Sequence, residues 1–272
     1  MGVRSSAIRQ KRSMGQVFLR SSWPVQKVVD KLRAWKTERV LEIGPGGGIL
    51  TRGLLGAGFQ VTAVEKDDRF AERLADYNRS RGDQSGGTLD VVNDDFLKFD
   101  LEGWVAESGQ RSAIVGNIPY NISSPVLIKV LEQINKVQGI YLLTQLEFAA
   151  RLAAQAGTRS FGSLSVFTQL RSRVTLECKV DRSCFSPVPR VDSALVSFQA
   201  AKSPLPAELL KNVEALTRRA FMGRRKMLRN AVGMFFNDKT TGTCPVDLNR
   251  RPDSLYPMEY GELARFLFPD ED

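Results

Sequence analysis

The tetrad Asn117-Ile118-Pro119-Tyr120 combines the groups needed for chemistry on the amino group of a nucleobase. An amide side chain and a backbone carbonyl can both accept hydrogen bonds from an NH₂ group, and the proline restricts the backbone that holds the carbonyl. The tyrosine ring offers a face on which a base can stack. Because the preceding apolar run 113–116 is typical of a buried strand, the tetrad is expected at the end of a strand.

The absence of histidine limits the chemistry further. Without imidazole, Ser-His and Cys-His nucleophiles are excluded, so catalysis has to depend on positioning. The cysteines, Cys178, Cys184 and Cys244, include no Cys-x-x-Cys pair, which excludes the usual zinc sites. We therefore predict free thiols in a reducing compartment and no bound metal.

Strand-like apolar runs alternate with helical patterns in the part of the chain that surrounds the tetrad. Such alternation predicts βαβ units and a mostly parallel sheet. Two later apolar runs, 174–178 and 194–198, are separated by a Pro-rich turn and are expected to form an antiparallel pair at the sheet edge. The runs of the parallel part are 40–43, 60–64, 89–92, 113–115 and 140–143, and helical patterns cover 25–35, 69–77 and 125–134.

The pattern changes near residue 202. Beyond it, apolar residues recur at helical spacing, as at Leu209, Val213 and Leu216, and no strand-like run follows. We therefore predict two domains: an α/β domain over residues 1–202 and a small all-α domain over residues 203–272.

A glycine-rich loop, 44–48, follows the first long strand and precedes a helical run, as in nucleotide-binding α/β folds. Pro45 has no N–H to offer a pyrophosphate, and Ile49 stands where the dinucleotide pattern needs glycine. S-adenosylmethionine, which has no phosphates, therefore fits the loop better than NAD. Glu65 ends the next strand, where an acid accepts hydrogen bonds from ribose hydroxyls.

Several motifs occur together and in a fixed order with the tetrad, and their combination resembles the KsgA-type ribosomal RNA adenosine dimethyltransferases. The resemblance covers nearly the whole chain, from about residue 11 to about residue 268. It implies a Rossmann-like class I methyltransferase sheet with S-adenosyl-L-methionine as cofactor. The motifs are Gly15-Gln16-Val17-Phe18-Leu19, Glu42-Ile43-Gly44-Pro45-Gly46, the segment 185–194 (Phe-Ser-Pro-Val-Pro-Arg-Val-Asp-Ser-Ala) and Arg224-Arg225-Lys226.

The resemblance also implies roles for individual residues. The oxygens of Asn117 and Ile118 would accept hydrogen bonds from the target amino group, Pro119 would fix their direction, and the rings of Tyr120 and Phe185 would enclose the base. Two positions depart from the family pattern: Val17 replaces Asn or His, and Leu146 replaces a lysine that the family often has. The expected cofactor residues are Gln16, Val17, Leu19, Gly44, Gly46, Glu65, Asp95, Phe96 and Asn117.

The charge of the chain favours a polyanionic partner. It carries 39 Lys+Arg against 30 Asp+Glu, a formal net charge of +9. Six of the cations lie within twelve residues of the C-terminal region. We expect them to contact phosphates of RNA: Arg218, Arg219, Arg224, Arg225, Lys226 and Arg229.

The resemblance implies an enzyme that dimethylates N6 of two adjacent adenosines near the 3′ end of small-subunit rRNA, within an assembling ribosomal subunit. Two alternatives stay open: a methylase of large-subunit rRNA, of the antibiotic-resistance type, and a non-catalytic RNA-binding assembly or transcription factor. No apolar run approaches the ~20 residues of a membrane span, so a soluble, cytoplasmic monomer is expected. The basic opening segment is read as an RNA-contacting or solvated arm rather than an organellar address, and bacterial and organellar origins both stay open.

Overall fold

A computed structural model describes residues 17–81, 86–202, 205–236 and 243–269. Gln16, one of the expected cofactor residues, lies outside these ranges. The strands are β1 (Phe18–Leu19), β2 (Arg39–Ile43), β3 (Gln60–Glu65), β4 (Leu89–Asn93), β5 (Ser112–Asn117), β6 (Gly139–Gln145), β7 (Ser172–Val180), β8 (Phe185–Ser186) and β9 (Ser193–Ala200). The helices are α1 (Trp23–Ala34), α2 (Ile49–Gly56), α3 (Asp68–Arg81), α4 (Leu101–Ser108), α5 (Ser123–Glu132), α6 (Leu146–Leu152), α7 (Ser163–Arg171), α8 (Ala207–Met222), α9 (Leu228–Val232) and α10 (Pro257–Leu267).

Seven strands form one sheet in the order β4-β3-β2-β5-β6-β9-β7. The first five strands of this order pair in parallel. The predicted α/β fold with a mostly parallel sheet is confirmed. Ile43 pairs with Val64 of β3 and with Gly116 of β5, so these strands end side by side. Residues that follow the three strands therefore meet at one edge of the sheet, where α/β folds bind their ligands.

Burial explains why the central strands read as continuous apolar runs. All residues of β6 are buried except the last, and β5 is buried up to Asn117, because helices cover both faces of a parallel sheet. On one face, Val28 and Leu32 of α1 share a core with Val40, Leu54 and other apolar residues. The half-buried Asn117 thus stands at the point where the apolar strand β5 ends.

The expected antiparallel edge pair is formed by β7 and β9. The N–H of Ala201 donates to the carbonyl of Arg171, and Arg173 donates to the side chain of Gln199. Residue numbers therefore increase along one strand where they decrease along the other, as in an antiparallel pair. The sequence did not predict the separate two-residue antiparallel pair of β1 and β8, in which Leu19 lies opposite Phe185.

The chain divides into two compact units, and the division differs from the single boundary expected near residue 202. The second unit contains residues 147–176 as well as those after 197. Its core includes Phe161 and Leu170 together with apolar residues of α8 and α10, such as Leu216 and Leu263. A boundary near residue 202 places residues 147–176 in the first domain, but apolar side chains of this segment pack in the helical core.

No helix within the described ranges has the length and the apolar character needed to cross a membrane.

Candidate active site

A cavity of about 350 Å³ lies at the carboxyl ends of β2, β3 and β5, within the first unit. Its size is in the range of small-molecule sites. The cavity collects most of the residues that the sequence singled out, although they are spread over more than a hundred positions. The expected site residues on its wall are Val17, Leu19, Gly44, Gly46, Glu65, Asp95, Phe96, Asn117, Ile118, Pro119 and Tyr120.

The glycine loop brings the backbone against the cavity. Gly46 has φ +50°, and a Cβ at this position would lie 2.6 Å from Cε1 of Phe18. The Phe18 ring also lines the cavity and contacts Phe70, with ring centroids 5.1 Å apart. Glycine is therefore required here by both the backbone conformation and the close approach of Phe18.

Glu65 at the end of β3 is oriented by two backbone groups. Its carboxylate accepts hydrogen bonds from the N–H of Gly46 and the N–H of Asp67, both at 2.9 Å. Burial raises the pKa of Glu65, while these two donors act in the opposite direction. Each carboxylate oxygen has a second lone pair, so the fixed carboxylate can still accept hydrogen bonds from a ligand in the cavity.

Of the two neighbouring acids after β4, only Asp95 lines the cavity; Asp94 instead accepts a hydrogen bond from the N–H of Asp95. The carboxylate of Asp95 pairs with Lys66 at 2.7 Å. This hydrogen bond with Lys66 is the main reason that the pKa of Asp95 is lowered. Phe96 is buried, lines the cavity, and offers an apolar ring beside the two acids.

The side-chain amide of Asn117 has a defined orientation. Its Nδ2 donates to the carbonyl oxygen of Val17, at 2.9 Å. Because only the nitrogen of an amide can donate, the side-chain oxygen is the group left to accept hydrogen bonds. The bond uses the backbone of Val17, so it does not depend on the Asn or His side chain that is typical of the family at this position.

The rest of the tetrad presents one carbonyl and one ring. The N–H of Ile118 donates to Leu143, but the carbonyl of Ile118 receives none of the hydrogen bonds found among the described residues. The hydroxyl of Tyr120 lies 2.8 Å from Oγ of Ser193, which fixes the ring at the cavity wall. Burial raises the pKa of Tyr120, so its phenol is neutral at physiological pH.

Phe185 is not among the residues that line the cavity, so the stacking of its ring on the target base stays a prediction. The side chain is 0% exposed and belongs to the apolar core with Cys184 and Leu195. Its strand β8 pairs with β1, so the segment that contains β1 lies next to Phe185. In this structure Phe185 supports the segment that carries Phe18 and Leu19.

Glu42 is a cavity residue that sequence reasoning did not identify as functional. It is 1% exposed, and its Oε2 has no hydrogen-bond partner among the described residues. Burial is the main cause that raises its pKa to about 7, with a smaller contribution from the charge of Glu65; the neighbouring Thr51 acts against the increase. The signal in the sequence was a single acid within the otherwise apolar strand Val40–Ile43.

The raised pKa of Glu42 predicts a pH-dependent loss of stability. The folded state holds the proton more tightly than the unfolded state, so the free energy of unfolding falls as pH rises from 4.5 to about 7. At about 1.4 kcal/mol per pKa unit, the loss is on the order of 3 kcal/mol. Urea unfolding of the ligand-free protein should therefore show Glu42→Gln to be the more stable form at pH 8, with little difference at pH 4.5. An equal stability difference at both pH values would contradict this account.

The basic cluster in the second unit divides into paired and unpaired cations. Arg224 is a structural residue: it pairs with Asp253 and donates to the carbonyls of Arg159 and Thr158. Arg218 pairs with Glu214. Contact of the six cations with RNA stays a prediction, and the structure shows that Arg224 and Arg218 also have protein partners. The exposed members whose side chains have no hydrogen bond or ion pair among the described residues are Arg219, Arg225, Lys226 and Arg229.

No group of three or more acids, cysteines or histidines that could hold a metal ion occurs in the described part of the chain.

The chain is similar in sequence to known proteins. The sequence profile described as ribosomal RNA adenine dimethylase matches residues 7–251. Two relatives named ribosomal RNA small subunit methyltransferase A, from Francisella tularensis subsp. novicida and subsp. holarctica, are each 35% identical over 264 residues, or 95% of this chain and 98% of theirs.

Solved structures also resemble the chain. A dimethyladenosine transferase from Plasmodium falciparum is 23% identical, with a TM-score of 0.70 and coverage of 90% of this chain and 95% of its own; it shows the fold. The 23S rRNA methyltransferase ErmE is 29% identical, with a TM-score of 0.64 and coverage of 92% and 99%. The long profile match and the 35% identity over nearly full length decide the assignment: the chain belongs to the ribosomal RNA adenine dimethylase family.

Proposed function

We propose that this protein transfers methyl groups from S-adenosyl-L-methionine to N6 of two adjacent adenosines near the 3′ end of small-subunit rRNA. One observation carries the proposal. The Asn117 amide donates its N–H to Val17 and so leaves its oxygen as an acceptor on the cavity wall. An exocyclic amino group is a donor that matches this oxygen, and the relatives named small subunit methyltransferase A support the choice of RNA.

The cavity fits the proposed cofactor. Gly46 keeps the backbone close, and Glu65, fixed by two N–H groups, lies where acids hold a ribose in α/β folds. Asp95 would accept from the amino group of the cofactor's adenine, and Phe96 would cover that ring. The buried Oε2 of Glu42, which has no hydrogen-bond partner among the described residues, is a polar atom on the cavity wall that a ligand could engage. Val17 and Leu19 would close the site, and Gln16 would belong to the same segment.

When bound, S-adenosylmethionine would supply a methyl group on a positively charged sulfur, which is the leaving group. The protein's contribution is to prepare the amino nitrogen. Its lone pair is delocalised into the adenine ring, and acceptors at Asn117 Oδ1 and the Ile118 carbonyl would rotate the N–H bonds so that the lone pair points at the methyl carbon. Tyr120 would stack on the base, and the surplus proton leaves to water. No ionising base is required.

The RNA would bind through the exposed cations of the second unit that have no ion pair among the described residues, Arg219, Arg225, Lys226 and Arg229, with Arg218 contributing from its pair with Glu214. An adenine in a stem or stack has to be extruded, at a cost of a few kcal/mol, and stacking on Tyr120 would return about 1 to 3 kcal/mol. We place the reaction in the cytoplasm, where ribosomal subunits are assembled, and expect a monomer.

A second substrate is supported by the resemblance to the 23S rRNA methyltransferase ErmE. One experiment distinguishes small-subunit rRNA from large-subunit rRNA as the substrate. Methyl transfer from labelled cofactor is measured on immature small subunits, on naked 16S-type rRNA and on 23S-type rRNA. We expect transfer to the small subunit and two methyl groups on each of two adjacent adenosines. Transfer to 23S-type rRNA alone would favour the alternative, and no transfer to any of them would favour a non-catalytic RNA-binding factor.

The salt dependence of RNA binding tests the division of the basic cluster. If Arg225 and Lys226 each neutralise one phosphate, removing both by alanine substitution should reduce the slope of log K against log salt by about 1.4 to 1.8. Arg224→Ala should leave the slope unchanged but lower the free energy of unfolding by about 1 to 3 kcal/mol, because it removes the bonds to Asp253, Arg159 and Thr158. Filter binding at several salt concentrations and urea unfolding measure the two effects. If only Arg224→Ala changed the slope, Arg224 would contact phosphate and Arg225 and Lys226 would not.

A further inference from the structure

The wall of the cavity nearest β4 is built by a loop, residues 94–100, that connects β4 to α4. Asp95 and Phe96 of this loop line the cavity. The loop is compact, since the N–H groups of Lys98 and Phe99 both donate to the carbonyl of Asp95. These two bonds are internal and fix the shape of the loop. Its start is held from outside by the N–H of Asp94, which donates to the carbonyl of Glu65, and by the ion pair of Asp95 with Lys66, so the part from Phe96 onwards needs a further contact.

Lys129 supplies a contact from outside the loop. Its Nζ donates to the carbonyl of Leu97 at 3.0 Å and to the carbonyl of Phe99 at 2.6 Å. The same nitrogen lies 5.4 Å from the centroid of the Phe96 ring. One side chain therefore contacts two residues that follow Phe96 in the chain and the Phe96 ring itself.

The helix that carries Lys129 connects this contact to the tetrad. α5 begins at Ser123, directly after the short helical turn Tyr120–Ile122, and the hydroxyl of Ser123 donates to the carbonyl of Pro119. The loop is thus tied by Lys129 to the element that continues the tetrad. A shift of the loop relative to α5 would change the distance between the wall at Phe96 and the acceptors at Asn117 and Ile118.

The charge of Lys129 makes the contact strong. Burial lowers the pKa of Lys129, and the nearby carboxylates Asp94, Asp95, Asp100 and Glu132 act against that decrease. An ammonium that donates to carbonyls in a partly buried place forms charge-assisted hydrogen bonds, which are stronger than neutral ones. The proposed mechanism gives this lysine no role, because it does not line the cavity.

We propose that Lys129 is a positioning residue, which holds the Asp95–Phe96 wall at the correct distance from the tetrad and so prepares the site for the adenine end of the cofactor. The inference rests on the proposed function, since it requires S-adenosylmethionine in this cavity. Without Lys129 the loop would have to be ordered when the ligand binds, and that cost reduces affinity.

The test is ligand binding by calorimetry with the full chain. Lys129→Met should raise the Kd for S-adenosylhomocysteine about tenfold, and the Kd for 5′-methylthioadenosine by the same factor, because both ligands carry the adenine end. Lys129→Arg should restore binding to within about threefold, since a guanidinium can donate to both carbonyls. Lys136→Met is the matched control: Lys136 forms an exposed ion pair with Glu102 and does not contact the loop.

A merely structural role would lower the thermal midpoint without changing Kd well below that temperature, and the positioning role would raise KM for the cofactor more than it lowers kcat. If Lys129→Met does not fold, Lys129→Gln, which can still donate one hydrogen bond at a time, should show an intermediate Kd. Wild-type affinity in a folded Met or Gln variant would overturn the inference. A wild-type protein that binds neither ligand would instead overturn the proposed function, so the two failures are distinguishable.

Discussion

Replacement of Asn117 by alanine is expected to lower the rate of methyl transfer by about 10² to 10³-fold, comparable to the loss of one preorganised hydrogen-bonding group in other active sites. The substitution removes the acceptor that would orient the target amino group, and it also removes the bond from Nδ2 to Val17. Single-turnover rates at saturating cofactor and RNA isolate the chemical step from any weaker binding.

A second substitution separates the two roles of this side chain. Asn117→Asp retains an acceptor but cannot donate to Val17, so it should disturb the segment over the cavity and raise the Kd for cofactor. Gln26→Ala is a suitable control because it deletes an exposed amide on α1 that bonds only to Asp30 among the described residues. Wild-type single-turnover rates in Asn117→Ala would refute the proposed orientation of the amino group.

Replacement of Gly46 by alanine is expected to raise the Kd for S-adenosylhomocysteine by about 10- to 100-fold, or about 1.4 to 2.8 kcal/mol. The new Cβ would lie 2.6 Å from the Phe18 ring, which has to move, and Phe18 is itself part of the cavity wall. Movement of the loop would also disturb the hydrogen bond from the Gly46 N–H to Glu65.

Gly58→Ala is the matched control for the backbone strain alone. Gly58 also has a positive φ, +91°, but a Cβ there would meet no atom within 4 Å. Its replacement should cost about 1 to 2 kcal/mol of stability through strain, while cofactor binding stays at the wild-type level. Calorimetry and urea unfolding of both variants give the comparison. Equal Kd values for Gly46→Ala and the wild type would show that Phe18 can move without cost.

The sequence was most informative for functional residues whose location follows from their place at the end of a strand. Asn117 comes at the end of an apolar strand. A strand buried on both faces leaves the core only at its ends, so the location of Asn117 at the carboxyl ends of the parallel strands was predictable. The same reasoning located Gly46 and Glu65, which also follow strands of a parallel sheet. Local periodicity was sufficient for these residues because the strand itself determines where they lie.

The sequence was less informative where a residue's role depends on partners far along the chain. Phe185 belongs to a motif that suggested a stacking ring, and the sequence did not show that its side chain is buried in β8, which pairs with β1. Arg224 looked like its neighbours Arg225 and Lys226, yet it alone of the three bonds to Asp253 and to the carbonyls of residues 158 and 159 among the described residues. Neither pairing leaves a local pattern, because the partners are separated by 29 to 166 positions.

The sequence by itself determined the α/β class, the glycine loop, the tetrad and the family, because these depend on side-chain type and on spacing within single elements. Only the tertiary structure decided which way the Asn117 amide is oriented, that Glu42 Oε2 is buried with no hydrogen-bond partner among the described residues, and that Lys129 donates to the carbonyls of Leu97 and Phe99. Burial and hydrogen-bond direction arise when separate elements pack, and both depend on atoms that are distant in sequence. The order of residues along the chain does not encode them locally.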